Sequence, residues 1–228
     1  MEKDIVLNSY RVTFFEKLLF FKYGAAKPLS GKHIRLLVVA DTHNVFPGEA
    51  VKGAFRYGVD ACIILGDHTY KDIYQLIQAA PPGMKIYGVL GNHDNPDMFN
   101  HFSNKWPDIM DISRKVVTVN GIRIAGIGGT LRYKNEQPGF NTQRDSVKFV
   151  KSVPEADILI GHAAPVSFDH SRMHSGLDGS LWYLYKHHIP YMLYGHNHDV
   201  RPMKSVLLNG TNALCVYRAA VFEIGDEK

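Results

Sequence analysis

Seven side chains able to bind a metal stand directly behind short apolar runs. Asp41 and His43 follow Ile34–Ala40, and Asp67 follows Ala61–Leu65. Asn92 follows Lys85–Leu90, His162 follows Ile158–Ile160, and His196 and His198 follow Tyr191–Tyr194. Imidazole is the commonest protein metal ligand and the acid/base group of neutral pH, and these donors together suit Mn, Fe, Ni or Zn better than Ca or Mg. A single Asp-x-His says little. A His-x-His on an extended segment turns two imidazoles to one side. The ordered set of five is the strong signal, and it points to a histidine- and carboxylate-based metal site.

The elements that position these groups can be read from the apolar runs. Ile34–Ala40 is β-rich and nearly continuous, as for a strand buried on both faces. The spacing predicts a helix over about 47–58 with Pro47 in its first turn, a strand at 61–65, and a helix with Ile73, Leu76 and Ile77 on one face. A third strand at 85–90 completes an alternation that implies parallel pairing. Asn120-Gly121 between Val116–Val119 and Ile122–Ile124 signals a hairpin. A helix near 142–151, a strand at 158–160, a helix at about 177–187 and a strand at 191–194 follow, and the tail alternates short strands with turns. In a parallel sheet the carboxyl ends of the strands share one edge, where ligands bind. The seven donors therefore converge.

Composition narrows the class. The chain has 228 residues, 45% hydrophobic and 21% charged, with twelve histidines and two cysteines. Cys62 and Cys215 cannot build a disulfide framework or a cysteine zinc finger, and they favour a reducing, cytoplasmic setting. The net charge of +4 is too mild for a dedicated nucleic-acid surface. No run reaches the ~20 apolar residues of a membrane span. Residues 1–33 read as an N-terminal extension holding a short amphipathic helix around Phe14, Phe15, Leu18, Leu19, Phe20 and Phe21. That helix is expected to pack on the core, with a membrane-surface or partner-binding role as the other reading. Residues 34–228 form the main domain.

The ordered strand ends resemble the calcineurin-like metallophosphoesterase superfamily. Its pattern is met as Asp41-Thr-His43, Gly66-Asp67, Gly91-Asn-His-Asp94, Gly161-His162 and Gly195-His-Asn-His198. The resemblance implies a small, cap-less member with a four-layer α/β/β/α sandwich and a two-metal centre. It implies that Asp41, His43, Asp67 and His198 hold one ion, that Asp67, Asn92, His162 and His196 hold the other, and that Asp67 bridges them, a natural part for a carboxylate, whose charge offsets the repulsion between cations. Two divalent ions ~3.5–4 Å apart can clamp the attacking and leaving oxygens at phosphorus and make hydroxide available near pH 7. By the same resemblance His93 is the acid that protonates the leaving oxygen, with Asp94 orienting its ring. A carboxylate partner would favour one tautomer and the protonated form. The other role for His93 is a hydrogen bond to bound phosphate.

Arg132, in Gly128-Gly-Thr-Leu-Arg-Tyr133, could pair with a substrate phosphate, since guanidinium matches phosphate oxygens. His68 and His174 are the other candidate substrate contacts, while Lys134, Arg144, Asp169 and Arg172 are weaker ones. His33, His101, His170, His187 and His188 need no special role.

Three function classes compete. The first is a dinuclear phosphoesterase, leaning to phosphodiester over phosphomonoester hydrolysis on a small or exposed substrate. The second is a non-catalytic scaffold on the same fold, which no missing ligand supports. The third is another metallohydrolase, whose His-x-His-x-Asp-His run or early His-x-His is absent. Metal content separates the first from the second. The oligomeric state stays open.

Overall fold

The computed structural model describes residues 14–133, 138–167, 174–198 and 203–225. Lys134, Asp169, His170 and Arg172 lie outside the described residues. Helix α1 occupies residues 14–23. The first half continues with β1 (Ile34–Ala40), α2 (Gly48–Tyr57), β2 (Ala61–Ile64), α3 (Tyr70–Ala79), β3 (Ile86–Gly88), α4 (Met98–Ser103) and β4 (Ile109–Asp111). The hairpin β5 (Val116–Val119) and β6 (Ile122–Ile127) follows, then the short strands β7 (Thr130–Leu131) and β8 (Gly139–Phe140). The remainder is α5 (Gln143–Val150), β9 (Ile158–Gly161), α6 (Asp178–Lys186), β10 (Tyr191–Tyr194), β11 (Met203–Val206), β12 (Asn212–Cys215) and β13 (Arg218–Ile224).

Two sheets carry the site. One has the order β13-β1-β2-β3-β4 and the other β11-β12-β10-β9-β6-β5. β1, β2, β3 and β4 run parallel, as do β6, β9, β10 and β12, while β13 returns antiparallel to β1. The ligand-bearing strands are thus divided, three in the first sheet and two in the second, and their carboxyl ends meet because the sheets face one another.

Strand alternation builds the layers. Leu36, Val38, Ala40, Ile63 and Leu65 face Ile124, Ile158, Ile160 and Leu193 of the other sheet. Their neighbours Leu37, Val39, Cys62 and Ile64 face away, under α2, α3 and α4, against Val51, Ile73, Leu76 and Phe99. On the far side Ala125, Ile127, Leu159 and Met192 lie under α5 and α6, against Val150, Leu181 and Leu184. Helices, sheet, sheet and helices make the four-layer α/β/β/α sandwich. Full burial of each large apolar side chain is worth about 1.5–3 kcal/mol, and nearly every β1 and β2 residue contributes from one face or the other.

The hairpin forms at Asn120-Gly121, where φ values of 50° and 74° give the left-handed pair a two-residue turn needs. Pro47 stands just ahead of α2, not within its first turn. Neither α4 nor β4 is signalled by the sequence: Met98–Ser103 is too short for a helical period, and Ile109–Asp111 is a three-residue edge. Leu19 of α1 is buried with Leu181, Tyr185 and Leu207, so α1 lies on the helical layer over the second sheet.

Candidate metal centre

The carboxyl ends of β1, β2, β3, β9 and β10 bring the sequence-predicted ligands together. Asp41, His43, Asp67 and His198 form one group and Asp67, His162 and His196 a second, with the ligand atoms of each group within 4.8 Å of one another. Asn92 joins the second group, its Oδ1 3.0 Å from His162 Nε2. Asp67 belongs to both groups.

The backbone is strained where the ligands converge. Asp41, His43, Asp67 and His196 have φ of 52°, 42°, 60° and 68°, the left-handed region that Asp, Asn and His tolerate better than most residues. The loops are tied across: Asp41 N donates to Gly66 O at 3.0 Å and Gly195 N to His162 O at 3.0 Å. Glycine is obligatory where loop meets ligand. A Cβ on Gly91 would strike the Asp67 carboxylate, and one on Gly195 would lie 2.5 Å from Asp41 Oδ2.

Each ligand carboxylate divides its oxygens. Asp67 Oδ1 accepts from His93 N at 2.8 Å, while Oδ2 lies 3.5 Å from His43 Nε2 and 3.4 Å from His162 Nε2. Asp41 Oδ2 accepts from His196 N at 2.8 Å, while Oδ1 faces His198 Nε2 at 3.3 Å. Oδ1 serves a backbone amide, so Oδ2 is the Asp67 atom that faces both groups.

These contacts are those of a metal site. Asp41 Oδ1 and Asp67 Oδ2 are buried without a hydrogen-bond donor. Two imidazole nitrogens, His43 Nε2 and His198 Nε2, face each other at 3.2 Å, an arrangement a cation satisfies better than a shared proton. His162 Nδ1 sits 2.7 Å from Leu65 O, which assigns the proton to Nδ1 and leaves Nε2 towards Asn92 and Asp67. Burial alone would lower the His162 pKa, but the charge and proximity of Asp67 raise it to about 9. Burial likewise opposes ionisation of Asp67, and the adjacent His162 outweighs it, holding the carboxyl well below its ordinary range. The residues present fit a divalent cation.

The remaining candidates fall at different depths. His93 is exposed, its ring 5.5 Å from that of His43. Asp94 is buried beneath it and does not orient the ring. Its carboxylate accepts from Asp67 N at 2.9 Å, His68 N at 2.6 Å and Gly91 N at 2.6 Å. Both its oxygens are committed to the loops carrying Asp67 and Asn92, which is the physical reason the expected ring contact is not made. His68 is also buried, with Nδ1 2.7 Å from Thr42 Oγ1, which suits a supporting role under β1 and β2 more than a substrate contact. His174 reaches the site, its ring 5.2 Å from that of His196. Arg132 is exposed and donates to Asn141 Oδ1 at 3.0 Å.

Two tyrosines were missed by sequence reasoning. The Tyr133 hydroxyl accepts from Asn92 Nδ2 at 3.1 Å, and the Tyr217 ring stacks on His198 with centroids 5.5 Å apart. Tyr133 was visible as the last residue of the Gly-Gly-Thr-Leu-Arg-Tyr stretch. Tyr217 has no local signal.

Fold and ligand set define a metal-dependent hydrolase with its site at the strand ends of a four-layer sandwich. The family model for calcineurin-like phosphoesterases matches residues 34–200, and the chain belongs to that family. It is a metal-dependent phosphoric ester hydrolase. The protein TT1561 of Thermus thermophilus is similar in structure at 14% identity, covering 81% of this chain and 89% of that one with a TM-score of 0.59. A dimetal phosphatase from Danio rerio is similar at 9% identity, covering 82% and 91% with a TM-score of 0.51. No curated protein sequence matches.

Proposed function

We propose that the chain hydrolyses phosphodiesters at a centre of two divalent transition metal ions. Asp41, His43, Asp67 and His198 would hold one ion and Asp67, Asn92, His162 and His196 the other. The observation that carries this reading is the pair of ligand groups sharing Asp67 Oδ2. Bound ions would supply Lewis acidity at phosphorus and an acidified water.

The chain's own residues supply positioning and a proton. His93 stands beside the ligand groups with its ring exposed and its amide on Asp67, which suits it to protonate the leaving oxygen. Asp94 holds the loops that carry Asp67 and Asn92. His174 lines the site beside His196, and Arg132, next in sequence to the Asn92 partner Tyr133, would contact phosphate. His43 and His198 are 38% and 49% exposed at their side chains, so the centre is open and admits an ester substituted on both sides. That openness favours the diester. The substrate is small or exposed, and the buried thiols of Cys62 and Cys215 suit the cytoplasm.

The test is an assay with Mn²⁺ on a chromogenic phosphodiester and the matching monoester. Preferential diester turnover, lost in His93→Ala and Asp67→Asn, is expected. Monoester preference overturns the diester reading. Absence of turnover on both, with metal bound, overturns the catalytic assignment.

A further inference from the structure

Helix α1 is apolar on more than the side it packs. Leu19 is 5% exposed within the core cluster, and Phe15 and Tyr23 pack against that cluster. Elsewhere on the helix Phe14, Leu18 and Phe21 are 57%, 50% and 85% exposed. Spacings of four and three place them in one stripe. Leu18 and Phe21 of that stripe, with Phe15, Tyr23 and Trp182 of α6, line a groove of about 530 Å³. A helix that is apolar around most of its circumference needs a second apolar environment.

The charges say which environment. The one acid in α1, Glu16, is drawn inward, where it accepts from Tyr185 Oη at 2.9 Å and from Leu208 N at 3.0 Å. Lys17 and Lys22 remain exposed. The exposed Lys186 of α6 joins Lys22 at the Tyr23 ring, their ammonium groups 5.6 and 5.1 Å from its centroid. Among the described residues the exposed stripe is therefore flanked by cations. A second copy of the same face would set lysine against lysine. An anionic lipid surface takes the apolar stripe among its acyl chains and the lysines at its headgroups. Among the described residues no helix is long and apolar enough to cross a membrane, so α1 would lie in the interface.

We propose that α1 docks this protein on anionic lipid surfaces through Phe14, Leu18 and Phe21, with Lys17, Lys22 and Lys186 at the headgroups. The test is flotation of the full chain with vesicles of phosphatidylcholine alone and with phosphatidylglycerol added. Binding to the anionic vesicles only, weakened by salt, is expected. Phe21→Asp and the double variant Lys17→Glu/Lys22→Glu should each reduce partitioning about tenfold or more, with circular dichroism and Tm unchanged. Because variants can misfold, unaltered protein is also mixed with brominated anionic lipid, which should quench Trp182 fluorescence. No flotation, equal flotation with neutral vesicles, or no quenching overturns the proposal. So does a concentration-dependent dimer, abolished by Phe21→Asp, without vesicle binding.

Discussion

The backbone amide of His93 donates to Oδ1 of Asp67 at 2.8 Å. One hydrogen bond thus sets both the ligand shared by the two groups and the residue proposed to act as acid. It also commits Oδ1, leaving the buried Oδ2 as the atom that faces His43 and His162.

Because that bond is made by the main chain, His93→Ala should keep it. Turnover is expected to fall about 10²–10⁴-fold, the usual range for losing a general acid, with metal content unchanged by elemental analysis. Loss of metal together with turnover would assign His93 a structural part instead.

Asp67→Asn removes the charge common to both groups while keeping an acceptor for the His93 amide. Metal content should fall in both groups, read by calorimetric titration, while the circular dichroism spectrum persists. Loss confined to one group would contradict the shared role.

Gly91→Ala tests the packing behind that carboxylate. A Cβ at Gly91 would collide with Asp67, so either the carboxylate or the loop must shift. Overpacking of this kind costs about 1–3 kcal/mol, and metal affinity should drop with it. An alanine variant with the parent's Tm and metal affinity would show that the loop has slack.

Asp94→Ala would strand three backbone amides, those of Asp67, His68 and Gly91. Unpaired buried groups cost roughly 1–3 kcal/mol each, so a large fall in Tm is expected before any kinetic effect is read. If Asp94 acted through the His93 ring instead, Tm would hold and the pH profile of turnover would move.

Away from the site, Asp157 governs part of the acid stability. It accepts from Arg123 N at 2.8 Å and Nη2 at 3.0 Å, with Lys32 Nζ at 3.5 Å. Burial raises its pKa, but Arg123 outweighs this and holds it below the usual carboxylate range. A depressed folded pKa means the contribution is complete above the unfolded value of about 3.9 and disappears as pH falls through the folded one. Urea unfolding of Asp157→Asn should therefore show a deficit of about 1–3 kcal/mol at pH 7 that closes as the pH falls below the ordinary carboxylate range. A deficit independent of pH would exclude the ion pair as its source.

The convergence of the candidate ligands was legible in the sequence because its rule is local. An apolar run, a tight turn and a polar donor repeat at five strand ends, and three of those turns carry glycines that close packing demands, Gly66, Gly91 and Gly195. The strands β1, β2, β3, β9 and β10 were readable for the same reason, being continuous apolar runs buried on both faces. Helix α4 and strand β4 were not, since six and three residues are too few for either period to show.

The sequence by itself determined which residues meet, since parallel strands must end on a common side. Only the tertiary structure decided how they meet. Asp67 offers one oxygen because a residue 26 positions on takes the other, and Tyr133 reaches Asn92 across 41 positions. Asp94 turns down to three amides, His68 is closed over by Thr42, and Tyr217 stacks on His198 from the turn between β12 and β13. These contacts depend on how two sheets lie face to face, a distance and an angle set by the summed packing of their shared core. No spacing within a single segment encodes them.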